Sequence, residues 1–407
     1  MTATHQPTDA HPRRPARRRR ELLVPAAVLA MALIATACSS GGGSDSTGSD
    51  KQTTPSGEQE ATTDGEFVYP GATWTEVTPE DAGVDPAVLQ EMADAAESGG
   101  SSCLVVTRDG ELVGEWYWRG TDASTQGEIF SATKSVTSAL VGIAQDQGAL
   151  DIDDRVSDYV TEWQGTDSED VTIRNILSND SGREWDFVTD YVRMGIQAED
   201  KTELAVDLGQ QFPPGTEWEY NNAAIQVLDA VVKTATGTDV AAFADEYLFG
   251  PTGMDAEMGH DPAGNTNVFF NAQMSCRDLA RFGYLWLRDG QWDGDTVVSS
   301  EYVEESLTPT PLNSGYGFLF WLNRPGHWVE PSTLAGKPEG DGVPTPGAPE
   351  DMFSAQGLGG QVSVGYPSSG IVFTRMAPAD LEEAANNQDA DVIPELMRLG
   401  GQLTEGG

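Results

Sequence analysis

Phe130-Ser131-Ala132-Thr133-Lys134-Ser135-Val136 opens a helix. Val136, Leu140 and Ile143 then recur at i, i+4 and i+7, and Gly148 closes the element. Residues three apart share one helical face, so the hydroxyl of Ser131 and the amine of Lys134 meet without further arrangement. A free serine hydroxyl is a poor nucleophile and needs a base beside it. An apolar pocket that strips water from a lysine lowers its pKa towards neutrality and makes it such a base. The first amides of a helix have no intrahelical partner, which leaves the amide of Ser131 free to stabilise an oxyanion. The chain has five lysines, and only Lys134 has a serine three places before it. By itself the same pattern also describes a capping serine and an exposed lysine.

On the N-terminal side, Cys103-Leu104-Val105-Val106 and Leu112 to Trp118 read as two strands joined at the hairpin signal Asp109-Gly110. On the C-terminal side, Ile152 to about Gly253 is helical in pattern, broken by Pro213-Pro214-Gly215 and again around Gly237. Strand signals return late. Tyr316 to Leu322 is aromatic-rich, and Gln361 to Tyr366 and Ile371 to Met376 flank the turn Pro367-Ser368-Ser369-Gly370. Val392 to Leu399 reads as a closing helix. Strands first and last with helices between them describe an α/β sheet domain with an all-α insertion, over approximately 152–275. A ligand cleft is expected where the two meet.

A second polar constellation follows the Pro-Gly turn. Tyr220-Asn221-Asn222 leads into the apolar helix Ile225 to Val232, placing a phenol and an amide at a helix start. If a nearby ammonium depresses the Tyr220 phenol from about 10, the phenol can shuttle a proton. The other reading is a tyrosine packed under the turn and a capping asparagine.

Ser131-x-x-Lys134, Tyr220-x-Asn222 and the strand start Gly357-Leu358-Gly359-Gly360-Gln361 together resemble the three motifs of serine β-lactamase-fold hydrolases. That group includes class C β-lactamases, DD-peptidases, some carboxylesterases and 6-aminohexanoate-oligomer hydrolases. Val171 to Gly182, Pro251 to Met254 and Ser275 to Phe282 are similar to later family segments, and the likeness runs from about Phe67 to Met376. It implies the penicillin-binding-protein-like transpeptidase fold, an antiparallel sheet flanked by helices with a helical insertion, and no cofactor or metal. It also implies a second oxyanion donor at the amide of Gln361, after Gly360. The departure lies in the third motif. The lactamases and peptidases usually carry Lys or His there, and Leu358-Gly359-Gly360 has no cation for a substrate carboxylate. Arg183 and Arg375 remain as replacements if either reaches the cleft. An apolar Leu358 suits a small ester or amide better than penicillin.

The implied chemistry is an acyl-enzyme on Ser131, with Lys134 and Tyr220 together taking its proton and Asn222 orienting Lys134 or the substrate. The residues alone do not choose between the two bases. The alternatives are a DD-peptidase or β-lactamase, and a tethered sensor or wall-binding protein that is acylated without turnover. Only His260 and His327 lie beyond the N-terminal segment, with no Gly-x-Ser-x-Gly elbow to join. Trp185 and Tyr316 are candidates to line a pocket.

Net charge is −42, although the N-terminal segment is basic. So acidic a surface repels nucleic acid and anionic lipid heads. Arg13, Arg14 and Arg17 to Arg20 precede an apolar run, Leu22 to Ile34, that is short for a membrane span. Ala35-Thr36-Ala37-Cys38 then resembles the lipobox of bacterial lipoproteins, with residues 1–37 a signal peptide and Cys38 acylated. Residues 38–66 are polar and Gly/Ser/Thr-rich, which reads as a tether before a hydrolase domain over 67–403. The expected location is extracytoplasmic, with the lipid anchor as the membrane contact. Export permits a disulfide between Cys103 and Cys276, which are otherwise two separate thiols. Replacement of Cys38 by serine should move the protein from the membrane fraction to the medium. Unchanged membrane fractionation would show that Cys38 is not the anchor.

Overall fold

The structure, a computed structural model, describes residues 62–64, 67–378 and 392–404. The signal segment, Cys38 and most of the tether lie outside them. The end of the tether does not: Thr62–Asp64 pairs antiparallel with Phe67–Tyr69, so regular structure begins before Phe67.

Six strands form the central sheet: β1 (Cys103–Arg108), β2 (Glu111–Tyr117), β3 (Trp321–Leu322), β4 (Phe353–Gly357), β5 (Gln361–Tyr366) and β6 (Ile371–Met376). Their order is β3-β4-β5-β6-β1-β2, with every neighbouring pair antiparallel. Both sequence-predicted hairpins are present. At the first, Asp109 and Gly110 both take positive φ, as the tight turn between right-twisted strands demands. A Cβ on Gly110 would lie 1.7 Å from the carbonyl oxygen of Val68, so only glycine fits. β5 and β6 are buried along their whole length, because helices cover both faces.

Helix α1 (Pro86–Ser98) packs against the C-terminal helix α5 (Val392–Gln402) on one face of the sheet. Leu89, Met92, Leu396 and Leu399 join Leu104, Val106, Val364 and Phe373 in that core layer. The other face carries α2 (Thr133–Asp146), α3 (Asn222–Thr236) and α4 (Cys276–Leu287), around a larger core that includes Val136, Leu140, Ile225, Leu228 and Phe282. Between α2 and α3 the chain makes short helices and turns rather than long helices. After α3 it returns as strand Ala272–Ser275, which pairs with Gln126–Glu128 on one side and with Glu257–Met258 on the other.

Tyr316 to Leu322 is mostly turn. Leu319 sits at φ +60 with its amide donated to Leu177, and only Trp321–Leu322 joins the sheet.

Cys103 and Cys276 form a disulfide that ties the start of β1 to the start of α4, 173 residues away. The bridge closes a loop that contains the nucleophile turn and the whole helical insertion. Cross-linking so long a loop restricts the unfolded chain, an effect of about 2–5 kcal/mol. Cys276→Ser should therefore lower the denaturation midpoint measurably under oxidising conditions. An unchanged midpoint would show that the bridge contributes no stability.

Candidate active site

The site starts at a strained turn. Phe130 has φ +47, a conformation that costs a bulky residue energy and that sets Ser131 at the mouth of α2. Two contacts hold the turn. The Ile129 amide donates to the carbonyl of Ala272 at 2.9 Å, and Gly357 at the end of β4 lies flat against it. A Cβ on Gly357 would sit 2.0 Å from the carbonyl oxygen of Ile129, so the sheet edge approaches this closely only because that residue is glycine.

Helix α2 is buried on every side from Thr133 to Ala144. Its hydroxyls are all spoken for. Ser135 donates to the Leu319 carbonyl at 2.6 Å, Thr137 to the Val268 carbonyl at 2.7 Å, and Ser138 meets the Tyr302 hydroxyl at 3.1 Å. Lys134 is only 1% exposed. Its Nζ donates to Ser131 Oγ at 2.9 Å and to the carbonyl of Phe269 at 2.8 Å, and it lies 4.7 Å from the centre of the Tyr220 ring. Burial lowers Lys134 to about 7, with the charge of Asp190 pulling the other way.

Tyr220 reaches the same point from the other side, its buried ring lying 4.7 Å from Lys134 Nζ and its hydroxyl close enough to Ser131 to feel that side chain. Its backbone setting explains the placement. Glu219 donates its amide to the Asn179 carbonyl at 2.8 Å, and the Asn221 amide meets Asn179 Oδ1 at 3.3 Å. The segment 171–182 thus cradles the Pro-Gly turn. Behind Tyr220 stand Trp321, stacked at 5.8 Å, and Tyr316, edge-on at 6.3 Å. Tyr316 is therefore buried backing rather than a cleft wall. The expectation that an ammonium depresses the Tyr220 phenol is corrected here. Burial pushes it well above its usual value, because a phenolate would be as badly desolvated as an ammonium, and Lys134, itself lowered to about 7, is only partly charged at neutral pH.

Asn222 does not orient Lys134 through any direct bond in this structure. Its Nδ2 donates to Asp190 Oδ2 at 2.8 Å, and the amide of Ala223 donates to Asp190 Oδ1 at 3.0 Å. Asp190 is fully buried on the π-helical segment Val188–Gln197. Nothing in the sequence marked it, since an aspartate in a polar helical stretch reads as solvated. Trp185 sits half-buried at the start of the same stretch.

The third motif divides by role. Leu358 is 43% exposed, an apolar side chain beside Gly357. Gly360 takes φ +80 against the guanidinium of Arg375. Gln361 starts β5, with its side chain fixed to the backbone of Ala377 at 2.9 and 3.3 Å. Gly357, across the hairpin from Gln361, packs its backbone directly against the Ile129–Phe130 turn.

Neither candidate arginine replaces the missing cation. Arg183 is buried over the Trp163 ring, bonded to Ser168 Oγ and to the carbonyls of Ala205 and Val206. Arg375 is buried beneath the turn, bonded to Ser101 Oγ and to the carbonyls of Gly99, Gly359 and Gly360. The sequence reading missed Lys337. It comes from the hairpin Gly326–Val329/Glu339–Gly342, donates to the Trp218 carbonyl and pairs with Glu219 at 3.2 Å. His260 pairs with Asp239 and His327 with Asp341, each away from Ser131 in other hydrogen-bond networks. Among the described residues, no group of three or more His, Cys, Asp or Glu side chains is placed to hold a metal.

The Beta-lactamase family profile matches residues 84–396, which contain every residue of this site. The chain belongs to that family. It is a serine hydrolase, of a family whose members act on esters and amides. It is 32% identical over 258 residues to penicillin-binding protein 4 of Amycolatopsis lactamdurans, covering 53% of this chain and 68% of that protein. It is 27% identical over 238 residues to the 6-aminohexanoate-dimer hydrolase of Paenarthrobacter ureafaciens, covering 54% of this chain and 60% of that one. Among solved structures, it is similar to a penicillin-binding protein homologue of Caulobacter crescentus, with a TM-score of 0.55 and 17% identity over 74% of this chain and 98% of that one. A family VIII carboxylesterase superposes with a TM-score of 0.55 and 16% identity, again over 74% and 98%. These last two establish the fold.

Only the neutral amine of Lys134 has a lone pair to accept the Ser131 proton. Reactivity of Ser131 towards an activated ester should therefore climb as pH passes through about 7 and level off above it. A midpoint near 10, the value of a solvated lysine, would show that Lys134 is not the controlling group.

Proposed function

We propose that this protein is an extracytoplasmic serine hydrolase that cleaves small esters or amides through an acyl-enzyme on Ser131. The observation that carries the reading is the 2.9 Å contact of Lys134 Nζ with Ser131 Oγ inside a dry pocket. Lys134 takes the hydroxyl proton as Ser131 Oγ attacks the carbonyl carbon. The oxyanion rests on the Ser131 amide and on an amide of the Gly357–Gln361 stretch. Burial keeps Tyr220 neutral at the pH where Lys134 gives up its proton, so it acts as a proton relay and not as the base. The proton passes to the leaving alcohol or amine, and a water releases the acyl group from Ser131. Lipid on Cys38 would hold the enzyme at the outer face of the membrane.

Leu358 points to the substrate class. A charge-assisted bond to a carboxylate contributes about 1.5–3 kcal/mol. Leucine offers none of it and leaves a β-lactam carboxylate poorly solvated. The two buried arginines cannot make up the loss, and Lys337 is already paired with Glu219. The relative named for 6-aminohexanoate dimers is in keeping with a small amide substrate. The loss of the carboxylate contact corresponds to roughly ten- to a hundredfold in catalytic efficiency.

The test is kcat/KM on a nitrophenyl ester and a chromogenic cephalosporin side by side, with mass spectrometry locating the acyl group. The ester should be preferred, the adduct should sit on Ser131, and Leu358→Lys should raise the cephalosporin rate. An adduct elsewhere with Ser131→Ala still active would overturn the mechanism. A burst on the ester that then stalls would identify the tethered sensor instead, and a wild-type preference for the cephalosporin would restore the β-lactamase reading.

A further inference from the structure

One buried charged group has no part in the steps above. Asp190 is 1% exposed, yet its carboxylate is anchored at both oxygens, to Asn222 Nδ2 at 2.8 Å and to the Ala223 amide at 3.0 Å. Both donors belong to the first turn of α3, the 15-residue helix that begins two residues after Tyr220. A carboxylate at that end of a helix is favoured by the unpaired amides and by the helix dipole. The segment that carries it, Val188–Gln197, is wound as a π-helix, a rare conformation that recurs at functional sites. Asp190 is also the anion whose field acts on Lys134, and Lys134 is the cation whose field acts on it.

We propose that Asp190 is a positioning residue for this hydrolase: it fixes the helix start behind Tyr220 and offsets the charge Lys134 acquires on taking the Ser131 proton. This rests on the reading of Ser131 and Lys134 as nucleophile and base. The physical need is plain. Proton transfer creates an ammonium in a pocket that disfavours one, and in a low-dielectric site a fixed anion stabilises that charge far more than it would in water. An aspartate beside a histidine base serves the same end in other serine hydrolases. Asn222 then has a double duty, since it satisfies the carboxylate and keeps it charged and oriented.

Burial raises Asp190 to about 6, with the bonds from Ala223 and Asn222 and the charge of Lys134 working against the rise. Asp190 therefore holds most of its negative charge at neutral pH and above, where Lys134 gives up its proton. The groups facing the pair are Ser131 and Tyr220 at Lys134, and Tyr191 and Trp185 at Asp190. Tyr191 is pushed well above its usual value by burial and then by Asp190, so it stays neutral. Lys201, on a neighbouring element, donates its backbone amide to Asp261 Oδ2 at 2.8 Å and its ammonium to the Ala198 carbonyl at 3.1 Å.

The experiment is the second-order rate constant for labelling Ser131 with a fluorophosphonate, followed from roughly pH 5 to pH 9. Wild type, Asp190→Asn and the exchange variant Asp190→Asn/Asn222→Asp are compared after circular dichroism confirms folding. Loss of the anion removes support for the ammonium, so the acid limb of Asp190→Asn should move down by about one pH unit and its plateau should fall about tenfold. The exchange variant returns a carboxylate across the same hydrogen bond and should bring the limb back towards wild type. If Asp190→Asn does not fold, the exchange variant alone decides, with a limb near wild type supporting the proposal and a displaced limb refuting it. A folded Asp190→Asn with an unmoved limb shows that Asp190 does not act on Lys134. No label on Ser131 in wild type refutes the reading of the nucleophile itself, and this proposal with it.

Discussion

Lys134 is an amine taken out of water, and the architecture around Ser131 is arranged to make that tolerable. A buried ammonium without compensation costs several kcal/mol, so the group sheds its proton instead. Three elements enclose it: its own helix, the Phe269 segment that accepts its hydrogen bond, and the turn that carries Tyr220. The Phe269 segment continues to Ala272, whose carbonyl holds Ile129, so the lid over the lysine and the turn of the serine are one construction. The seclusion that lowers the lysine also raises the tyrosine, so a single physical cause sets the two groups apart, as the proposed base and relay require.

The sheet contributes rigidity at the point of closest approach. Gly357 ends β4 against Ile129, and the turn that follows is held from below by Arg375 through the carbonyls of Gly359 and Gly360. Arg375 also binds Gly99 and Ser101, just beyond α1, so the third-motif turn, proposed as an oxyanion stretch, is tied to the helical layer of α1. The Cys103–Cys276 bridge ties the same sheet to the helix that follows the Ala272–Ser275 strand. A preorganised donor array loses less to reorganisation than a mobile one, which is why such anchoring matters for oxyanion stabilisation.

The proposed substrate preference rests on two side chains. Leu358 is the exposed apolar side chain of the third motif. Lys337, the basic group beside the Tyr220 turn, is held by Glu219. On the proposed reading an apolar contact stands where a cation would serve a substrate carboxylate, and the net charge of −42 works in the same direction against anionic ligands.

The sequence by itself determined the local decisions. The Ser131-x-x-Lys134 spacing places two side chains on one face wherever the helix sits, because helical geometry alone fixes i and i+3. Asp109-Gly110 and the 367–370 turn define their hairpins for the same reason, since their backbone conformations need no distant partner. Three motifs in order were enough to indicate the fold. Tertiary structure decided everything that depends on what is dry. The sequence pattern gave α2 one apolar face, yet the helix is buried all round, and its hydroxyls are satisfied by carbonyls as far away as Val268 and Leu319. The fate of Arg183 and Arg375, the joining of Cys103 to Cys276, the inversion of the Tyr220 shift and the presence of Asp190 beneath Asn222 all follow from residues distant in the chain. Burial and charge pairing act through space, and no spacing along the sequence encodes them.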